Sequence, residues 1–264
     1  MVFRGKRRRD QSSRRQQINQ NISHYFLFYF IQPLLPKSCL DYLQRGLTQN
    51  GFYVLVDDQS HPYMTYCDLS SELGSAWTLV MSWQTAKFRD LLNFRTKVFA
   101  EDAPINAGSP NWFVYRETLA RMKSIRSQST HWRATCDINS REVIDYEDYL
   151  RGRFVDLDIF EWQGGQTCFP IDYVNIRGKA AGTGTTMAFW QSPGSYILHT
   201  DSQNTTCEFF YKADPLVDFF GYYGDGISSE FRCSATPDAT TQWWFGGYLS
   251  KERFFQNNSQ PVGA

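Results

Sequence analysis

The chain has 264 residues, enough for a sizeable core, and its 21 Phe, 15 Tyr and 8 Trp make 17% of it aromatic, which excludes a wholly disordered chain. Formal charge is zero, yet seven basic residues stand against Asp10 among the first fifteen, so the remainder is net acidic. An acidic body argues against nucleic acid as the partner of the folded part, because phosphate binding needs clustered cations. The basic tail, which could bind nucleic acid or anionic lipid, reads first as a solvated leader.

Residues 1–36 read as a basic leader carrying a short apolar segment, Tyr25-Phe-Leu-Phe-Tyr-Phe-Ile31. That segment falls well short of the roughly 20 residues a membrane-spanning helix needs. It has the length of a signal-peptide core behind a positive stretch, although Pro36, Lys37 and Ser38 offer no small-x-small cleavage site. The leader is expected to be disordered or removed, and the alternative is a signal anchor at the cell surface. Residues 37–255 are expected to form one domain, split into 37–83 and 84–255, with 256–264 a frayed tail.

Within that domain, Cys39 to Gly46 reads as one or two helical turns, with Leu40 and Leu43 three apart. Three strands follow at Gly51–Asp57, Met64–Cys67 and Trp77–Trp83, and they suggest a small antiparallel sheet. Tyr115, Leu119, Met122 and Ile125 recur at helical spacing and predict a helix over 115–127. Further strands are expected at Trp132–Cys136, Phe154–Phe160, Tyr173–Arg177, Met187–Trp190, Ser195–Leu198 and Cys207–Tyr211, with Gly178–Thr186 a loop or wide hairpin. The expected class is α+β, mostly antiparallel β with a few helices.

Six cysteines, Cys39, Cys67, Cys136, Cys168, Cys207 and Cys233, include no C-x-x-C pair and no His at zinc spacing. An even number of widely spread cysteines fits disulfides made in an oxidising compartment. Sequons at Asn21, Asn204 and Asn257 agree with a secreted glycoprotein.

Ser38-Cys39, Gly51-Phe-Tyr-Val-Leu, Tyr66-Cys67-Asp68-Leu and Trp77-Thr-Leu-Val80 follow one another in an order that resembles the N-terminal subdomain of fibrinogen C-terminal-like domains, shared with the intelectins. The resemblance covers about 45 residues. It implies a fibrinogen-like fold and a Cys39–Cys67 bond, a closure worth about 3 kcal/mol in the chain-entropy model. It also implies binding without chemical turnover. Of the three ways to pair the other four cysteines, Cys136–Cys168 with Cys207–Cys233 is the expected one. The family's calcium loop corresponds to Asp225 and Glu230, few carboxylates for an ion that takes six to eight oxygens.

Among the remaining constellations, Asp156 and Asp158 stand two apart on an expected strand whose Val155, Leu157 and Ile159 turn inward. Such a pair suits acid–base work, but it reads first as a solvated strand face. Asp145-Tyr-Glu-Asp-Tyr149 reads as a charged surface turn, and the Gly178–Thr186 run lacks the order of a phosphate loop. No Gly-x-Ser-x-Gly elbow is present, and His131 and His199 depend on tertiary proximity for any role in catalysis.

The aromatic, glycine-broken stretches holding Tyr222, Tyr223 and Asp225, and Trp243, Trp244 and Phe245, read as loops suited to stacking on sugars or gripping a protein. The expected function is therefore extracellular recognition or adhesion, with a glycan, a microbial surface or an extracellular protein as partner, and oligomerisation left open. The alternatives are a self-associating matrix protein and, behind it, a secreted hydrolase.

Overall fold

The computed structural model describes residues 35–88, 90–138, 144, 146–201, 206–211, 220–222, 227 and 229–250. Every described element falls in the compact unit Pro36–Ala264. Asp41, three residues after Ser38, reaches back to accept the Lys37 and Ser38 N–H groups at 2.8 and 3.3 Å and so opens α1 (Cys39–Gln44). Gly46, at φ +87, ends it where a side chain would be strained.

β1 (Gly51–Val56), β2 (Pro62–Asp68) and β3 (Ser75–Gln84) follow as an antiparallel meander. Two single turns, α2 (Thr85–Phe88) and α3 (Leu92–Arg95), lead to β4 (Val114–Arg116) and α4 (Leu119–Ser127). Then come β5 (His131–Cys136), β6 (Tyr149–Arg153), β7 (Gly164–Pro170), β8 (Tyr173–Ile176) and β9 (Lys179–Gly182). β10 (Thr186–Ser192), β11 (Tyr196–Thr200) and β12 (Thr240–Tyr248) complete the strands among the described residues.

Among these residues a nine-stranded sheet runs β1-β2-β3-β12-β5-β6-β8-β9, with β4 added on β3, and β11-β10-β7 form a second sheet. Every pairing is antiparallel. The fold is thus α+β and dominated by antiparallel sheet. The sheet does not stop at β3, as the expected small sheet would. β12 is hydrogen-bonded to β3 on one side and β5 on the other, so it joins the N-terminal meander to the rest.

Alternation along β12 explains its central place. Trp243 and Phe245 enter a large core with Trp83, Met122 and Trp132, while Trp244 enters a second core with Trp77, Leu79 and Tyr149. Gly246 meets a tight approach, since a Cβ there would stand 2.0 Å from the Ala76 carbonyl oxygen. The adjacent glycines that suggested a loop are what allow the strands to close.

Four expectations need correction. The helix begins at Leu119, because Thr118 caps it by accepting the Arg121 N–H at 3.3 Å, and Tyr115 lies on β4. Phe154–Phe160 is a pair of turns with Leu157 and Ile159 buried but Val155 83% exposed, so strand alternation was the wrong period. Cys207–Tyr211 forms no strand. Asp148 in the supposed surface turn is buried, and it accepts the Arg177 and Arg232 N–H groups at 2.8 and 2.7 Å.

The disulfides are Cys39–Cys67, Cys136–Cys233 and Cys168–Cys207. The first is the pairing implied by the resemblance, and the other two replace Cys136–Cys168 and Cys207–Cys233. Cys136 ends β5 opposite Thr241 of β12, and Cys233 lies in the turn Arg232–Ser234 that precedes β12. Cys168 on β7 is opposite Ala188 of β10, and Cys207 reaches the same sheet because the Phe209 N–H bonds the Thr186 carbonyl.

Candidate functional site

Of the side chains expected to meet a ligand, Trp243, Trp244 and Phe245 are 1%, 0% and 0% exposed. They are core, and a sugar cannot stack on them. The Trp244 indole N–H donates to Thr135 Oγ1 at 2.9 Å. Tyr222 is half-buried; its hydroxyl accepts from Arg95 Nε at 3.1 Å, and its ring packs on Phe88 and His199. Tyr223, Asp225, Asn204 and Asn257 lie outside the described residues. Glu230 is bound to Arg177.

Among the described residues no group of three or more His, Cys, Asp or Glu is placed to hold a metal ion. Asp156 pairs with Arg153 at 2.5 Å, and Asp158 pairs with Arg126 at 2.8 Å. They are held apart in separate ion pairs, and no acid–base pair is assembled there.

A different site emerges from the sheet register. Leu79, Trp244, Arg133, Arg151 and Tyr173 face one another across β3, β12, β5, β6 and β8. The turn after β2 brings two carboxylates over this row. Asp68 accepts the Ser70 and Ser71 N–H groups at 3.3 and 3.0 Å, which curls the chain and sets Glu72 above Arg133.

The Arg133 guanidinium is fully buried between the Trp77 and Trp244 rings, 4.3 and 5.1 Å from their centres. It donates to Asp68 at 2.5 Å and to Glu72 at 2.7 Å. Glu72 also accepts from Arg151 at 2.6 Å, from the Tyr248 hydroxyl at 2.5 Å and from the Tyr149 hydroxyl. Four donors satisfy one buried carboxylate.

Burial works to raise both carboxyls, but Arg133 at Asp68, and Arg133 with Arg151 at Glu72, outweigh it and leave both below their usual range. Burial likewise raises the Tyr149 and Tyr248 hydroxyls, and Glu72 opposes the ionisation of both. The cluster is a set of fixed charges in which each group holds its neighbour's state.

At its outer edge the cluster meets solvent. Arg151 Nε donates to Asp172 at 2.5 Å, and Asp172 also takes the Thr183 hydroxyl at 3.1 Å. Arg151 Nη2 takes no protein partner among the described residues. Tyr248 and Tyr173 flank this guanidinium, with ring centres 5.4 and 5.9 Å from it, and Tyr146 packs edge-on against Tyr173 at 5.7 Å. Tyr146 and Tyr248 are 40% and 36% exposed. Beside Tyr173 the opposing residue of β9 is Gly182, and a Cβ there would meet nothing within 4 Å. The result is an open tyrosine shelf around an arginine fixed by two carboxylates.

His131 borders the shelf, its ring 5.3 Å from that of Tyr248. Its Nδ1 is 2.7 Å from Thr130 Oγ1, while Nε2 stands 3.7 Å from Asp172, beyond a hydrogen bond. Burial lowers its pKa, with Arg151 and Arg153 adding to that and Asp172 opposing it. His131 is therefore neutral at pH 7.

Sequence reading missed this site because its members come from five segments. One signal was available: His131-x-Arg133 and Arg151-x-Arg153 each place two cationic or imidazole side chains on one strand face. No protein-family model matches the sequence, and no curated protein matches it.

Proposed function

We propose that this chain is a fibrinogen-like extracellular recognition domain that binds a glycan on the tyrosine shelf without chemical turnover. One observation carries the reading: half-buried Tyr173 and exposed Tyr248 flank Arg151, exposed Tyr146 packs on Tyr173, and the guanidinium is held between Glu72 and Asp172 with one nitrogen unpaired among the described residues. Aromatic faces offer a sugar stacking area at low entropic cost, and a pre-oriented donor fixes its register. The three disulfides fit an oxidising compartment and so favour secretion over a cytosolic setting. The fibrinogen-like element draws on the Cys39–Cys67 bond beside buried Trp77, with Gly74 at φ +74 in the turn before it.

The test is a glycan array probed with the full chain from an oxidising host, with and without EDTA. Saturable binding that survives EDTA and falls at least about tenfold in Tyr248→Ala and Tyr173→Ala is expected, in line with a loss of one stacking contact each. Wild-type binding unaffected by both changes would sink the reading.

A second reading, self-association of a matrix protein, has its own observation. Phe52 and Val54 of β1 and Met64 of β2 are 58%, 50% and 45% exposed, in register with one another and with Tyr66 on one face. Sedimentation equilibrium of wild type and Phe52→Ser separates the two readings, since only self-association predicts a mass that drops in the variant.

A further inference from the structure

We infer, resting on the shelf as the binding site, that its ligand is an uncharged sugar ring presenting two adjacent hydroxyls, and that sugars bearing a carboxylate or sulfate are rejected. The first argument is charge. Arg151 is matched by Glu72 and Asp172, Arg133 by Asp68 and Glu72, and Arg153 by Asp156. Three arginines thus stand among four carboxylates, so the local balance is already negative before a ligand arrives. Burial works to raise the Asp172 carboxyl, but Arg151 outweighs it, so that carboxylate is ionised at neutral pH. An anionic sugar would have to approach these carboxylates with no surplus cation to meet it.

The second argument is the pairing of donor and acceptor. Arg151 offers Nη2, and Asp172 offers an oxygen whose only protein partner among the described residues is the Thr183 hydroxyl. The Arg151 Nε–Asp172 bond at 2.5 Å holds this donor group and this acceptor group against each other. A hydroxyl both donates and accepts, so two hydroxyls on neighbouring carbons can engage such a pair together. The Tyr173 ring and the open space at Gly182 leave room for the ring face.

The experiment titrates the full chain with a glycan ending in a neutral hexose and with the same glycan capped by sialic acid, each at low and high salt. The neutral glycan is expected to bind with an affinity that changes less than about twofold with salt, and the capped one at least about tenfold more weakly. Asp172→Asn is expected to narrow that gap by strengthening the capped glycan, because it removes one of the four carboxylates and with it the local excess of negative charge. Gly182→Trp, which fills the open space beside Tyr173, is expected to abolish binding of both.

Preference for the capped glycan, lost on raising salt and lost in Gly182→Trp, would overturn this inference while leaving the shelf as the site. Neutral-glycan binding unchanged in Gly182→Trp would overturn the shelf reading itself. Binding of neither glycan would overturn both.

Discussion

Glu72 is the residue on which the shelf depends, because two arginines and two tyrosines converge on it from three strands. Glu72→Gln keeps the shape but leaves Arg133 and Arg151 short of an anion in a buried place. A stability loss of about 3–5 kcal/mol by denaturant titration is expected, the usual cost of breaking a buried pair from one side. The pH dependence has a definite sign. Carboxyls held below their unfolded pKa contribute stability that is present above it and lost as pH falls through the folded value.

Histidine works in the same direction here. Burial lowers His199 from 6.5 to about 4, with the Ile197 carbonyl opposing. The unfolded chain therefore binds that proton first, and stability falls as pH drops from 6.5 toward 4. His199→Phe is expected to flatten the acid limb of a stability–pH curve across that window. An unchanged limb would show that His199 does not titrate differently in the two states.

Glycines give the element scale its sharpest test. Gly152 on β6 is opposite Trp132 on β5, and a Cβ there would stand 2.3 Å from the indole. Gly152→Ala is expected to destabilise by about 1–3 kcal/mol, the range for an overpacked core, measured by thermal melting. At the edge of the sheet the arrangement is different. The Tyr42 hydroxyl donates to the Val54 carbonyl at 2.6 Å and the Val56 N–H is taken by the Pro36 carbonyl, so β1 has part of its outward hydrogen-bonding edge capped.

Most strands with aromatic or β-branched runs were legible in the sequence, because β1, β3, β5, β8 and β10 carry strong local signals. β12 was not, since Trp243-Trp-Phe-Gly-Gly mixes strand formers with the residues that usually mark turns. The glycines there answer a tertiary need, the close approach of Ala76, which no local pattern displays. The shelf was illegible for a related reason. Tyr173 and Tyr248 are ordinary residues until β8 and β12 bring them to Arg151 of β6, and Tyr146 reaches them only by packing on Tyr173.

At the scale of the molecule the cystines differ in reach. Cys136–Cys233 closes 97 residues against 28 for Cys39–Cys67. In the chain-entropy model the longer loop is worth about 4–5 kcal/mol and the shorter about 3–4. Replacing Cys136 and Cys233 together by serine is expected to lower the melting temperature more than the same change at Cys39 and Cys67; the reverse order would place the dominant constraint in the N-terminal meander.

The position of β12 bears on how the chain is made. A ribosome delivers β1 to β3 and then β5 to β9 long before it delivers the strand that belongs between them. Until residues 240–248 emerge from the exit tunnel, the flanking edges of β3 and β5 wait unpaired with their tryptophans uncovered. Such a nascent chain completes its large sheet late, and until then both strand edges are open to mispairing.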